Sequence, residues 1–88
     1  MSAFIWLNGR LCRLGEACIS PLDHGLLVGD GVFETLIARQ GRPFAAHEHW
    51  ERLVHSCAVT GLTPLPEADY LAAMDAVLKA NQLSEARV

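Results

Sequence analysis

The chain has 88 residues, enough for one small domain with a modest core but too few for a two-domain enzyme. With 51% apolar and 19% charged residues it has a globular composition, not that of a disordered tail. Ten acidic against seven basic residues give a net charge of -3, and the absence of any Lys/Arg run excludes a surface that follows a nucleic-acid backbone.

The start Met1-Ser2-Ala3-Phe4 lacks the basic region of a secretion signal, and no stretch reaches the roughly 18 consecutive apolar residues of a membrane span. Cys12, Cys18 and Cys57 are odd in number and have no C-x-x-C spacing, so they read as reduced thiols. A soluble, cytoplasmic protein without nucleic-acid or membrane partners is expected.

Phe4-Ile5-Trp6-Leu7 and Arg10-Leu11-Cys12-Arg13-Leu14 flank Asn8-Gly9, the pair that supplies the positive φ angles of a type I′ turn, so a hairpin is predicted. Glu16 to Asp30 reads as a shaped loop, with Pro21 fixing φ, Asp23 able to close a turn and a short helical turn over Gly25 to Val28. From Gly31 to Ala38, β-branched and aromatic residues predict a strand, with Phe33, Thr35 and Ile37 on one face and Val32, Leu36 and Ala38 on the other. Both faces are largely apolar, which predicts a central strand buried on both sides and makes Phe33 a candidate core aromatic. Gln40-Gly41 then turns the chain into a short return strand, Arg42-Pro43-Phe44.

Two helices are predicted next. Ala46, Trp50, Leu53, Val54, Cys57, Ala58 and Gly61 recur at helical steps, and Gly61 ends the first helix. In the second, Pro66 opens the first turn, Glu67 and Asp69 suit its positive end, and Tyr70, Leu71, Met74, Val77 and Leu78 form the apolar face, running to about Asn81. At Ala86-Arg87-Val88 a further strand begins, and the chain reads as cut there.

Few residues carry chemistry on spacing alone. His47-Glu48-His49-Trp50-Glu51 is not H-E-x-x-H, because Glu51 stands where the second histidine is required. His47, Glu51 and His55 fall on adjacent turns of one helix and are read as a solvated polar face in preference to a metal site. Gly29-Asp30-Gly31 lacks the rest of a nucleotide-binding fingerprint, and no serine has nucleophile-elbow surroundings. Arg52 points away from the apolar stripe of its helix, which by itself makes it a solvated arginine.

The run Ser20-Pro-Leu-Asp-His-Gly-Leu-Leu-Val-Gly-Asp-Gly-Val-Phe-Glu-Thr-Leu36, followed by Gly41-Arg42-Pro43-Phe44 and His49-Trp50-Glu51-Arg52-Leu53, resembles the small N-terminal domain of the class IV (fold-type IV) pyridoxal-phosphate aminotransferases. That family includes branched-chain and D-amino acid aminotransferases and aminodeoxychorismate lyases. The resemblance covers residues 1–88 and implies an α+β fold, an antiparallel sheet covered by two helices. It also implies a cofactor held between this domain and a larger C-terminal domain of the same enzyme, in a homodimer.

On the same resemblance, Arg52 binds the phosphate of pyridoxal 5'-phosphate, a task suited to a planar guanidinium that makes paired charge-assisted hydrogen bonds. Val28, Phe33 and Thr35 correspond to the wall of the substrate pocket, Val28 standing where an aromatic residue is common. The family's catalytic lysine lies in the C-terminal domain, so the sole lysine, Lys79, is read as a dipole-complementing surface residue and no catalytic residue is assigned within 1–88. The implied reaction is transamination between an aliphatic or D-amino acid and a keto acid. The alternatives are pyruvate-releasing aminodeoxychorismate lyase activity, or a stand-alone non-catalytic binding module.

Overall fold

A computed structural model describes residues 3–88. In chain order these form β1 (Phe4–Leu7), β2 (Arg10–Arg13), a 3-10 turn at Leu14–Glu16, α1 (His24–Val28), β3 (Ile37–Arg39), β4 (Arg42–Pro43), α2 (Ala46–Thr60), α3 (Glu67–Ala80) and β5 (Ala86–Arg87). The class is α+β. The single sheet expected from sequence is instead two antiparallel sheets, β1-β2 and β4-β3-β5.

The first sheet is the Asn-Gly hairpin. Leu7 pairs with Arg10, and Asn8 and Gly9 turn the chain at φ of 51° and 87°, the handedness that matches strand twist. α3 packs against both strands of this hairpin and against α2. Its end is tied to the first strand by Asn81, whose Oδ1 accepts from the Phe4 amide at 2.9 Å while its Nδ2 donates to the Phe4 carbonyl at 2.9 Å. One carboxamide thereby stands in for a neighbouring strand at an otherwise open edge.

In the second sheet β3 is central, as expected, with β4 on one side and β5 on the other. Gln40 and Gly41, at φ of 53° and 75°, make the turn between β3 and β4, and Ala86 pairs with Ala38. The ladder is shorter than the eight residues predicted from Gly31 to Ala38. A strand needs a partner, and β4 and β5 reach only the end of this segment, with Leu36 and Val88 exchanging both backbone hydrogen bonds at 2.9 and 2.8 Å. The return strand likewise stops at Pro43.

The period of two nevertheless persists through the unpaired part. Val32, Glu34, Leu36 and Ala38 turn inward, and Phe33, Thr35 and Ile37 turn outward. The second face is therefore open, and Phe33, at 83% exposure, is not a core aromatic.

The core is small: Leu36 and Ala38 from the β3 segment, Cys57 from α2, and Ala73, Met74 and Leu78 from α3. Gly61 ends α2 as expected, its amide bonding to the Cys57 carbonyl. Pro66 immediately precedes α3 instead of lying within its first turn, and its carbonyl accepts from the Tyr70 amide at 3.0 Å. Three residues of the predicted stripes, Ala58, Gly61 and Leu71, are exposed, while Ala73, outside the predicted stripe, is buried. No helix of the described residues is long and apolar enough to cross a membrane.

His47 clasps α2 to α3. Its Nε2 donates to Glu51 at 2.8 Å and its Nδ1 to Glu67, and a ring whose two nitrogens both face carboxylates is best served by the imidazolium. The Glu67 hydrogen bond, more than any other contact, raises its pKa above the ordinary 6.5. A raised value means that the clasp stabilises fully below pH 6.5 and is lost as pH climbs through the folded value. Thermal midpoints measured between pH 6 and pH 9 should therefore carry a falling component that His47→Gln removes, the effect being small because the pair is exposed.

Candidate functional site

Glu34 lies in the inward phase of the Val32–Ala38 alternation, so its side chain, only 9% exposed, enters the protein as a charge among apolar neighbours. Such a group needs partners. α2 supplies two, because residues three apart on a helix share a face. Arg52 donates through Nε to both carboxylate oxygens, at 3.1 and 3.0 Å, and through Nη2 to Oε1 at 2.8 Å; His49 Nδ1 donates to Oε1 at 2.7 Å.

Since an ionised carboxylate only accepts, His49 Nδ1 carries a hydrogen here. The 3.4 Å approach of Arg52 Nη2 to that nitrogen is then a donor meeting a donor, not a further bond. The Arg52 hydrogen bonds first, and that of His49 second, hold the Glu34 carboxyl below its ordinary value; reciprocally, Glu34 raises the Arg52 guanidinium. Tyr70 of α3 lies within reach of the same charge: burial first, and Glu34 second, push its hydroxyl up.

Arg52 is exposed, as its helical phase predicts, with 66% of its side chain open. The guanidinium is not simply solvated, however: one edge is committed to Glu34. Nη1 donates to none of the described residues, and the guanidinium borders a shallow pocket of about 130 Å³ shared with Ala45, Glu48 and His49. An exposed, permanently charged planar donor with one edge fixed and one edge open can receive an oxyanion.

The other sequence-predicted residues lie at the surface but in two places. Phe33 and Thr35 share the outward face of the β3 segment, whereas Val28 is the exposed last residue of α1. Asp23 builds that short helix by accepting from the Leu26 amide at 3.2 Å, and Gly25 allows it to close: a Cβ there would stand 2.8 Å from the Asp30 carbonyl oxygen. Lys79, with 77% of its side chain exposed, pairs with Asp75 at 2.9 Å, one turn before it on α3. His47, Glu51 and His55 do not assemble with other side chains into a metal-binding group among the described residues.

Glu34 and His49 were not singled out by sequence reasoning. The signal was present: Glu34 is the one charge in the inward series Val32, Glu34, Leu36, Ala38, and a charge in that phase calls for a cationic neighbour on the element packed against it.

Residues 31–88 match the family described as amino-transferase class IV, and the chain belongs to it. Aminodeoxychorismate lyase of Bacillus subtilis is 35% identical over 82 residues, 92% of this chain and 28% of the relative. A probable branched-chain-amino-acid aminotransferase of Rickettsia bellii is 34% identical over 86 residues, 97% of this chain and 30% of the relative. D-alanine aminotransferase of Staphylococcus aureus is 38% identical over 58 residues, 66% of this chain and 21% of the relative. The chain thus spans less than a third of the length of these curated relatives.

Proposed function

We propose that the chain is the small N-terminal domain of a pyridoxal-phosphate-dependent transaminase acting on an aliphatic or D-amino acid, and that Arg52 anchors the phosphate of the cofactor. The observation that carries the reading is the Arg52 guanidinium, held along one edge by Glu34 and open along the other beside a shallow hollow of about 130 Å³. The cofactor, when bound, supplies an electron sink for the pair left behind when a bond at the amino acid's α-carbon breaks.

This chain contributes binding and orientation. Arg52 fixes the phosphate end; Val28, Phe33 and Thr35 form surface against which the substrate side chain rests. Phe33, so exposed in the isolated domain, is covered in the complete site. The class IV likeness implies that the catalytic lysine belongs to a C-terminal domain; Lys79, exposed and paired with Asp75, reads as a surface residue.

Exposed apolar side chains argue for partners. Leu22, Leu26, Leu27, Val28, Phe33 and Phe44 are all exposed, which suits cover by a second domain and a second subunit better than life as a free-standing module. Free Cys12, Cys18 and Cys57 suit a cytoplasmic location.

A lyase that eliminates pyruvate from aminodeoxychorismate is the second reading, favoured by the Bacillus subtilis relative of that name. The reactions separate cleanly in the full-length protein. Transamination requires a keto acid to return the cofactor and gives ping-pong kinetics, with D-alanine and branched-chain amino acids as the first donors to try. Pyruvate release from aminodeoxychorismate, with no half-reaction on any amino acid, would overturn the first reading.

A further inference from the structure

We propose that Glu34 is the positioning residue of this site: its carboxylate grips Arg52 side-on and so aims the open edge of the guanidinium at the phosphate, with His49 fixing the carboxylate in turn. The inference rests on the reading of Arg52 as the phosphate anchor and goes beyond it.

An exposed arginine samples many rotamers, and the entropy of ordering it counts against any ligand it binds. Here that ordering precedes the ligand. Glu34 is anchored by a backbone whose next inward residue, Leu36, is buried and doubly hydrogen-bonded to Val88, so the carboxylate has a fixed origin. Both its oxygens engage Arg52, and His49 holds Oε1 from one turn earlier on α2. Two donors on one carboxylate leave it little freedom to rotate.

The charge argues the other way. A carboxylate beside Arg52 lowers the positive potential that draws a phosphate, so a Glu34 that acted only through charge would weaken binding. Aiming and neutralisation therefore predict opposite signs on removal, which makes the proposal testable.

The test uses the full-length protein stripped of cofactor and titrated with pyridoxal phosphate and, separately, with pyridoxal. Both aldehydes present the same ring, so the dissociation constant of pyridoxal divided by that of pyridoxal phosphate isolates the phosphate contribution. Glu34→Gln should lower that ratio by roughly three- to tenfold, less than Arg52→Ala does. The double variant Glu34→Gln/Arg52→Ala should match Arg52→Ala alone, because a positioner has no effect once the residue it positions is gone.

Glu34→Asp keeps the charge but retracts the carboxylate by one methylene; it too should lower the ratio, and it carries the test if Glu34→Gln does not fold. A ratio that stays constant or rises in Glu34→Gln, or one untouched in Glu34→Asp, overturns the proposal while leaving the role of Arg52 intact. A ratio unchanged in Arg52→Ala overturns both.

Discussion

Arg52→Ala in the full-length protein is expected to weaken pyridoxal phosphate binding by about ten- to a hundredfold, the size of losing a hydrogen-bonded charge pair to the phosphate. Arg52→Lys should fall between the two, since an ammonium retains the charge but cannot hold Glu34 with one edge and phosphate with the other. Titration of the apoprotein, read by cofactor absorbance, measures both. The substitution also touches the fold, because Glu34 would keep only His49 as partner.

The depressed pKa of Glu34 contributes stability above its unfolded value near 4.5, and that contribution disappears as pH falls through the folded value. Arg52→Ala should therefore flatten the acid limb of the stability profile as well as weakening the cofactor. An unaltered dissociation constant in a folded Arg52→Ala protein would return the residue to the role of a solvated arginine.

Leu78→Ala is expected to destabilise by about 2–5 kcal/mol, a large share of what a chain of this size commands. Leu78 is 2% exposed on α3, one of six buried core residues, and the helix bearing it packs against both the hairpin and α2. Few side chains can move into the cavity, since the core has only five other buried residues and three of them, Ala38, Cys57 and Ala73, are small. Urea unfolding of the full-length protein should show an earlier first transition for Leu78→Ala. Val59→Ala, at a 74% exposed position on α2, should move the midpoint by no more than about 0.5 kcal/mol equivalent.

Local chemistry was legible in the sequence wherever the determinant was itself local. Asn8-Gly9 requires a type I′ turn, Asp23 caps the short helix after it, and the spacing from Ala46 to Gly61 gives α2 almost to the residue. Strand length was not legible, because it depends on how far partners reach: the Gly31–Ala38 segment has strand alternation throughout but neighbours only at its end.

The division into two sheets is of the same kind. It follows from α3 and Asn81 engaging the hairpin separately, a contact between residues 77 positions apart. At the site, helical phase correctly placed Arg52 on the open side and off the core stripe. The pair it makes with Glu34 joins two elements whose register only the fold sets.

The most direct measurement of the central claim is a crystal structure of the full-length protein with pyridoxal phosphate bound. The phosphate oxygens should lie within hydrogen-bonding distance of the open edge of the Arg52 guanidinium while Glu34 still holds the opposite edge. A phosphate gripped elsewhere, with Arg52 in solvent, would contradict the assignment of this domain as the anchor of the cofactor.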